Sequence, residues 1–122
     1  MVMGLPESNG SVISFEEALE FLRKKFPNVH KRMLEKRLRQ TEVHEKEKIE
    51  NIGAIGVLFN SDEGIACIFS RTRYDAESIM EKALKLDMDG RFTHGHCYME
   101  NRTIAIKKTT FNTEKQHIWE RV

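Results

Sequence analysis

The stretch Thr93-His94-Gly95-His96-Cys97-Tyr98 crowds two imidazoles, a thiol and a phenol into six residues. On an extended strand, positions i and i+2 share a face, so His94 and His96 point the same way, a spacing that zinc sites on strands use. A zinc site needs a third and usually a fourth ligand. In sequence those could come from Asp87, Asp89, Glu100 or the remote His117. The chemistry on offer is a metal-binding or metal-dependent hydrolytic centre on His94 and His96. The alternative for the same segment is a stacking surface. Phe92, His94, His96 and Tyr98 with Lys107 could receive unpaired bases, as sheet-based single-strand binders do. Cys97 points to the opposite face from both histidines and makes no dyad with them. Cys67 and Cys97 sit in apolar strand contexts that suit core filling better than nucleophilic chemistry. Asp87-x-Asp89-Gly90 lacks the remaining acids of a calcium loop and reads as a helix stop.

The largest deviation in the chain is electrostatic. With 20 Lys+Arg against 19 Asp+Glu the net charge is +1, but residues 23–39 hold eight bases and the single acid Glu35. The bases are Arg23, Lys24, Lys25, Lys31, Arg32, Lys36, Arg37 and Arg39. Residues 1–22 carry four acids and no base. A basic helical segment suits phosphate contacts with counterion release, or an acidic protein face. The bland alternative is a solvated charged helix. The turn between its helices contains Pro27 and Asn28 rather than the glycine common in DNA-reading helix-turn-helix motifs. Arg71 and Arg73, in the basic loop Arg71-Thr72-Arg73-Tyr74, could extend the binding surface.

The elements that must position these groups follow from periodicity. Residues 1–12, rich in Gly, Pro, Ser and Asn, read as a flexible leader before one domain over 13–122. Ser14-Phe15-Glu16-Glu17 is a capping box that opens a helix, and Pro27 ends it at about Phe26. A second helix is expected from about Val29, with Val29, Met33, Leu34 and Leu38 on its stripe. It continues as a solvated extension to about Glu50, or frays, so that the helical hairpin fills 14–50. The sheet-forming part spans 52–112. Ile55, Val57 and Phe59, then Ile65, Cys67 and Phe69, alternate around the turn-rich Asn60–Gly64, which predicts a β-hairpin of strands covered on both faces. Asp75 caps a helix over Ala76–Leu86, with Ala76, Ile79, Met80, Ala83 and Leu84 inward and Gly90 as a left-handed stop. A second hairpin turning at Asn101-Arg102 pairs positions whose numbers sum to 203, and residues 113–122 form a polar tail.

The expected class is therefore α+β: an N-terminal helical hairpin, then β-hairpin–helix–β-hairpin forming a mainly antiparallel four-stranded sheet with helices packed on it. Hydrophobic residues at 39% and charged residues at 32% fit a folded domain with a charged exterior. No apolar run reaches the ~18 residues of a spanning helix. The first ten residues lack a secretory pattern, and two cysteines suit reduced thiols, so a cytoplasmic setting is expected, with no membrane partner. No cofactor motif is legible. The expectation is a small non-enzymatic regulatory or accessory protein of the kind phages carry. It would bind nucleic acid or an acidic protein surface through residues 23–39. The rivals are the metal-dependent hydrolase on His94 and His96, and a homo-oligomer that buries Met33, Met80, Met88 and Met99.

Overall fold

The structure, a computed structural model, describes residues 11–41, 44–62, 64–72, 75–111 and 116–122. Arg73 and the first ten residues of the expected leader lie outside the described residues. The chain is a mixed helix-and-sheet protein. Helices α1 (Phe15–Lys25), α2 (Lys31–Arg39) and α3 (Lys46–Glu50) precede strands β1 (Ala54–Asn60) and β2 (Ile65–Arg71). Helix α4 (Ala76–Leu86) then leads to β3 (His94–Met99), β4 (Thr103–Phe111) and β5 (Gln116–Arg121). The sheet is antiparallel in the order β2-β1-β3-β4-β5. Among the described residues no helix is long and apolar enough to cross a membrane.

Local chemistry explains the helix ends. Ser14 Oγ accepts the Glu17 amide at 3.1 Å, and Glu16 and Glu17 sit at the positive end of the α1 dipole. Phe26 closes α1 just before Pro27, and Asp75 caps α4 by accepting the Ser78 amide at 2.6 Å. Gly90 stands at φ +68° beyond α4, a left-handed position that suits glycine.

The sheet separates two cores. On one side α1, α2 and α3 bring Leu19, Leu22, Phe26, Leu34, Leu38 and Ile49 onto Ile55, Val57 and Ile68. On the other, α4 packs Ile79 and Ala83 among Leu58, Phe69, Cys97, Ile106 and Trp119. Of the residues expected inside, Phe15, Met33, Phe59, Cys67 and Ile104 are half-buried.

Six expectations are corrected. The sheet has five strands, because the polar tail supplies β5: Trp119 enters the second core and Lys107 to Glu120 are cross-strand partners. β2 is an edge strand rather than a central one: Ile68 and Phe69 enter opposite cores, but its other residues are only half-buried. The second helix stops at Arg39. The apolar stripe ends at Leu38, and the backbone of 44–46 pairs instead with Ser11–Ile13: Ile13 N–H donates to the His44 carbonyl at 2.8 Å and Lys46 N–H to Ser11 at 2.9 Å. Ser11 and Val12, read as leader, are thus tied to the domain. Leu84 is 46% exposed rather than inward. The second hairpin turns at Glu100-Asn101, where Met99 N–H donates to the Arg102 carbonyl at 2.9 Å. Its partners sum to 201 (His96 with Ala105, Cys97 with Ile104), a slip of two positions that leaves the paired residues His94 to Tyr98 on their expected faces.

Candidate binding surfaces

The eight bases of residues 23–39 do not form one uniform patch. Lys25 is structural: its side chain is 9% exposed, its Nζ donates to the Glu50 carbonyl, and Glu100 Oε1 lies 3.6 Å away. It ties the end of α1 to the α3 terminus and to the β3–β4 turn. Arg37 is structural as well. Its Nε donates to Ser70 Oγ and its Nη1 to Thr41 Oγ1, both at 3.0 Å, which fastens α2 to the edge strand β2. Burial lowers the Arg37 pKa, though a guanidinium stays charged in any case. Arg39 lies over the Phe15 ring at 5.8 Å. Arg23 is 4.0 Å from Glu20, and Lys31 is 3.9 Å from the half-buried Glu35, both long surface pairs of little energetic consequence. Arg23, Lys24, Lys31, Arg32, Lys36 and Arg39 remain facing solvent.

Two of those on α2 are placed against local helix stability, whereas Lys36 and Arg39 in its last turn suit the dipole. Lys31 and Arg32 occupy the first turn, at the positive end of the dipole, and no acid accompanies them. Arg32 and Lys36 then repeat at i,i+4, where like charges repel. His30 compensates in part by accepting the Arg32 amide on Nδ1 at 3.1 Å.

The second surface is the open half of the sheet. Register sets three rows across the face that carries α1–α3. Phe59, His94, Lys107 and Glu120 form one, Val57, His96 and Ala105 the next, and Ile55, Tyr98 and Thr103 the third. Each of these rows begins under the helices and ends in solvent, because the first core takes in residues of β1 and β2 and, beside it, Tyr98, but among the described residues none of β4 or β5. Four rings stand in sequence along this boundary. His94 stacks on Phe59 with centroids 5.3 Å apart, His96 meets Phe59 edge-on at 5.7 Å, and Tyr98 meets His96 at 5.8 Å. Hydroxyls orient both imidazoles: Thr93 Oγ1 is 2.9 Å from His94 Nδ1, and the Tyr98 hydroxyl is 3.3 Å from His96 Nδ1.

Burial, with His94 adding repulsion, lowers the His96 pKa; burial raises that of Tyr98. Both rings are therefore neutral at neutral pH. A histidine whose folded pKa is depressed leaves the unfolded chain binding more protons. Its contribution to stability is complete above the ordinary imidazole value of 6.5 and is lost as pH falls below it toward the lowered one. The melting temperature should thus drop slightly between about pH 7.5 and about pH 5.5, and His96→Gln should flatten that drop. An unchanged pH profile in the variant would contradict this.

The remaining expected site residues disperse. Phe92 is buried in the second core, away from His94, because Asp87 Oδ1 accepts the amides of Arg91 and Phe92 at 2.6 and 3.0 Å and turns the chain before β3 begins. Arg71 pairs with Ala54 at the far edge and belongs to the opposite face. Among the described residues no group of three His, Cys, Asp or Glu side chains converges on His94 and His96. His117 lies on the other face beside Thr110, and Asp87 is bound to Lys108 at 3.0 Å. Burial pushes the Cys97 thiol up to about 12 and raises Cys67 too. The four methionines offered for self-association do not gather: Met99 is buried, Met33 and Met80 half-buried, Met88 exposed. Phe59, the ring that joins the two histidines, reads from sequence as core alone. Its pairing with His94 comes from the β1–β3 register, which nothing local encodes. Compared with protein-family models, curated proteins and solved structures, the chain matches none of them.

Proposed function

We propose that this chain is a small accessory or regulatory protein that acts by binding rather than catalysis, with nucleic acid held by the solvent-facing bases of its helical hairpin. The observation that carries this reading is the basic first turn of α2, which contains no acid of its own and has only the Lys31–Glu35 pair, one turn on, to offset it. Lys31 and Arg32 oppose the helix dipole, and Arg32 repels Lys36. Phosphates would remove both penalties, and the exposed arginines Arg23, Arg32 and Arg39 can fork onto phosphate oxygens.

The test is fluorescence anisotropy with labelled DNA and RNA across a salt series. Wild type should bind, weakening steeply as salt rises, and the log–log slope should shrink by about 0.9 for each duplex phosphate contact removed. Reversing Lys24, Lys31, Arg32 and Lys36 to Glu should abolish binding while leaving the fold intact or slightly more stable, since acids then occupy the first turn of α2. Arg37 and Lys25 must be left alone because they hold elements together. Equal binding by the reversed protein would make the segment a solvated helix. Salt-sensitive capture of an acidic protein, with no nucleic-acid binding, would move the reading to an acidic protein face.

A further inference from the structure

We infer that the open half of the sheet is a second contact surface, on which Phe59, His94, His96 and Tyr98 stack the unpaired bases of a single strand while Lys107 meets its backbone. This rests on the reading above that the partner is nucleic acid, and it names the form of that partner.

The surface has the parts such a task needs. Every base presents a π-face, so a row of rings on a sheet accepts bases without regard to sequence, and a nearby cation follows the phosphates. Here the four half-buried rings adjoin one another on one sheet face, each within 6 Å of the next. Beyond them, β4 contributes only short side chains in two of the three rows: Ala105 beside His96 and Thr103 beside Tyr98, both exposed. Nothing bulky on β4 therefore stands over His96 or Tyr98. In the third row the partner of His94 is the exposed Lys107. The acid that ends this row, Glu120, is engaged by the Thr109 hydroxyl.

Two further features favour unpaired bases over other occupants. The His96 ring is held neutral by its surroundings, which suits a stacking face more than an ionic contact. The helical hairpin with its six exposed bases packs on this same side of the sheet, so the rings and the excess positive charge serve one side of the molecule. Rings set on a sheet cannot reach bases that are already stacked inside a duplex, which selects a single strand.

The experiment compares oligothymidine and oligouridine strands of about 12 nucleotides, near a typical single-strand site size, with a duplex of equal length, by anisotropy. Single strands should bind more tightly to wild type than the duplex does. His94→Ala/His96→Ala should weaken single-strand binding by about thirtyfold or more, the low end of what two ring–base stacks contribute, and leave duplex binding as it was. His94→Phe/His96→Phe, which keeps rings in place, should recover most of the lost affinity. Thermal melts of each variant separate a lost contact from a lost fold. If the alanine pair proves unfolded, the phenylalanine pair and Lys107→Glu carry the comparison, with the second expected to weaken single strands selectively. Equal loss on both nucleic-acid forms, or no loss in a folded alanine variant, would overturn the stacking surface while leaving the helical hairpin as the binding site. Failure of wild type to bind any nucleic acid would overturn both.

Discussion

Replacing Asp87 by alanine should lower the free energy of unfolding by about 3–5 kcal/mol, the cost of stranding one member of a buried ion pair. The side chains of Asp87 and Lys108 are 1% and 7% exposed, with Oδ2 and Nζ 3.0 Å apart. The other carboxylate oxygen accepts the Arg91 and Phe92 amides, so one side chain satisfies a cation and two backbone donors. Removing it leaves an ammonium without its counter-charge and releases the bend that places Phe92 in the second core. Urea unfolding at neutral pH is the measurement. The double variant Asp87→Ala/Lys108→Met should recover part of the loss, because the stranded charge is gone; the two single effects will then not add. A loss below about 1 kcal/mol for Asp87→Ala would mean that water replaces the carboxylate at little cost.

Gly56→Ala should cost about 2–3 kcal/mol through overpacking. Gly56 and Phe69 are direct partners on β1 and β2, and the Phe69 ring lies across the glycine. A Cβ at position 56 would fall inside the ring's van der Waals envelope, 2.6 Å from Cε1 and closer still to Cζ. Phe69 is buried in the second core with Leu58 and Cys97, so moving its ring disturbs that packing. The expected signature is a lower urea midpoint with an unchanged slope. Gly56→Ala/Phe69→Leu should lose less than the two single changes together, since the smaller side chain makes room for the methyl group. If Gly56→Ala is neutral, the ring does not sit on the glycine in solution.

Features governed by neighbours in sequence are legible without a structure. Ser14 and Asp75 cap helices because the partner amide lies three residues on, and α4 begins and ends where its pattern predicts. The first hairpin follows from alternation around a turn, and Gly90 from its left-handed position. What escapes reading is set by distant partners. Lys25 and Arg37 count as binding residues by charge alone, yet their hydrogen-bond partners lie 25 and 33 residues away. Among the described side chains of β5 only Trp119 is buried, in a polar stretch, so the strand character of β5 depends on β4 being beside it. Phe92 changes face through a side-chain capture of backbone amides that alternation cannot express. His94 and His96 keep their expected common face because the register error was even, and faces depend only on parity.

The pairing of β1 with β3 also has a bearing on how the chain reaches this fold. The hairpins β1–β2 and β3–β4 each close over a short turn, events of microseconds. The seam between them joins residues 35 to 45 positions apart, from Phe59–His94 to Ala54–Met99, with α4 looped out between. Its loop-closure entropy must be met before any of its hydrogen bonds form. Assembly is thus expected to wait on one encounter between two preformed hairpins. α4 assists that encounter, since its Ile79 and Ala83 pack against residues of both hairpins and shorten the search. The rings of the open face come together only at that step, because Phe59 arrives from one hairpin and His94, His96 and Tyr98 from the other. A chain stalled before the seam closes has its basic helices but no platform.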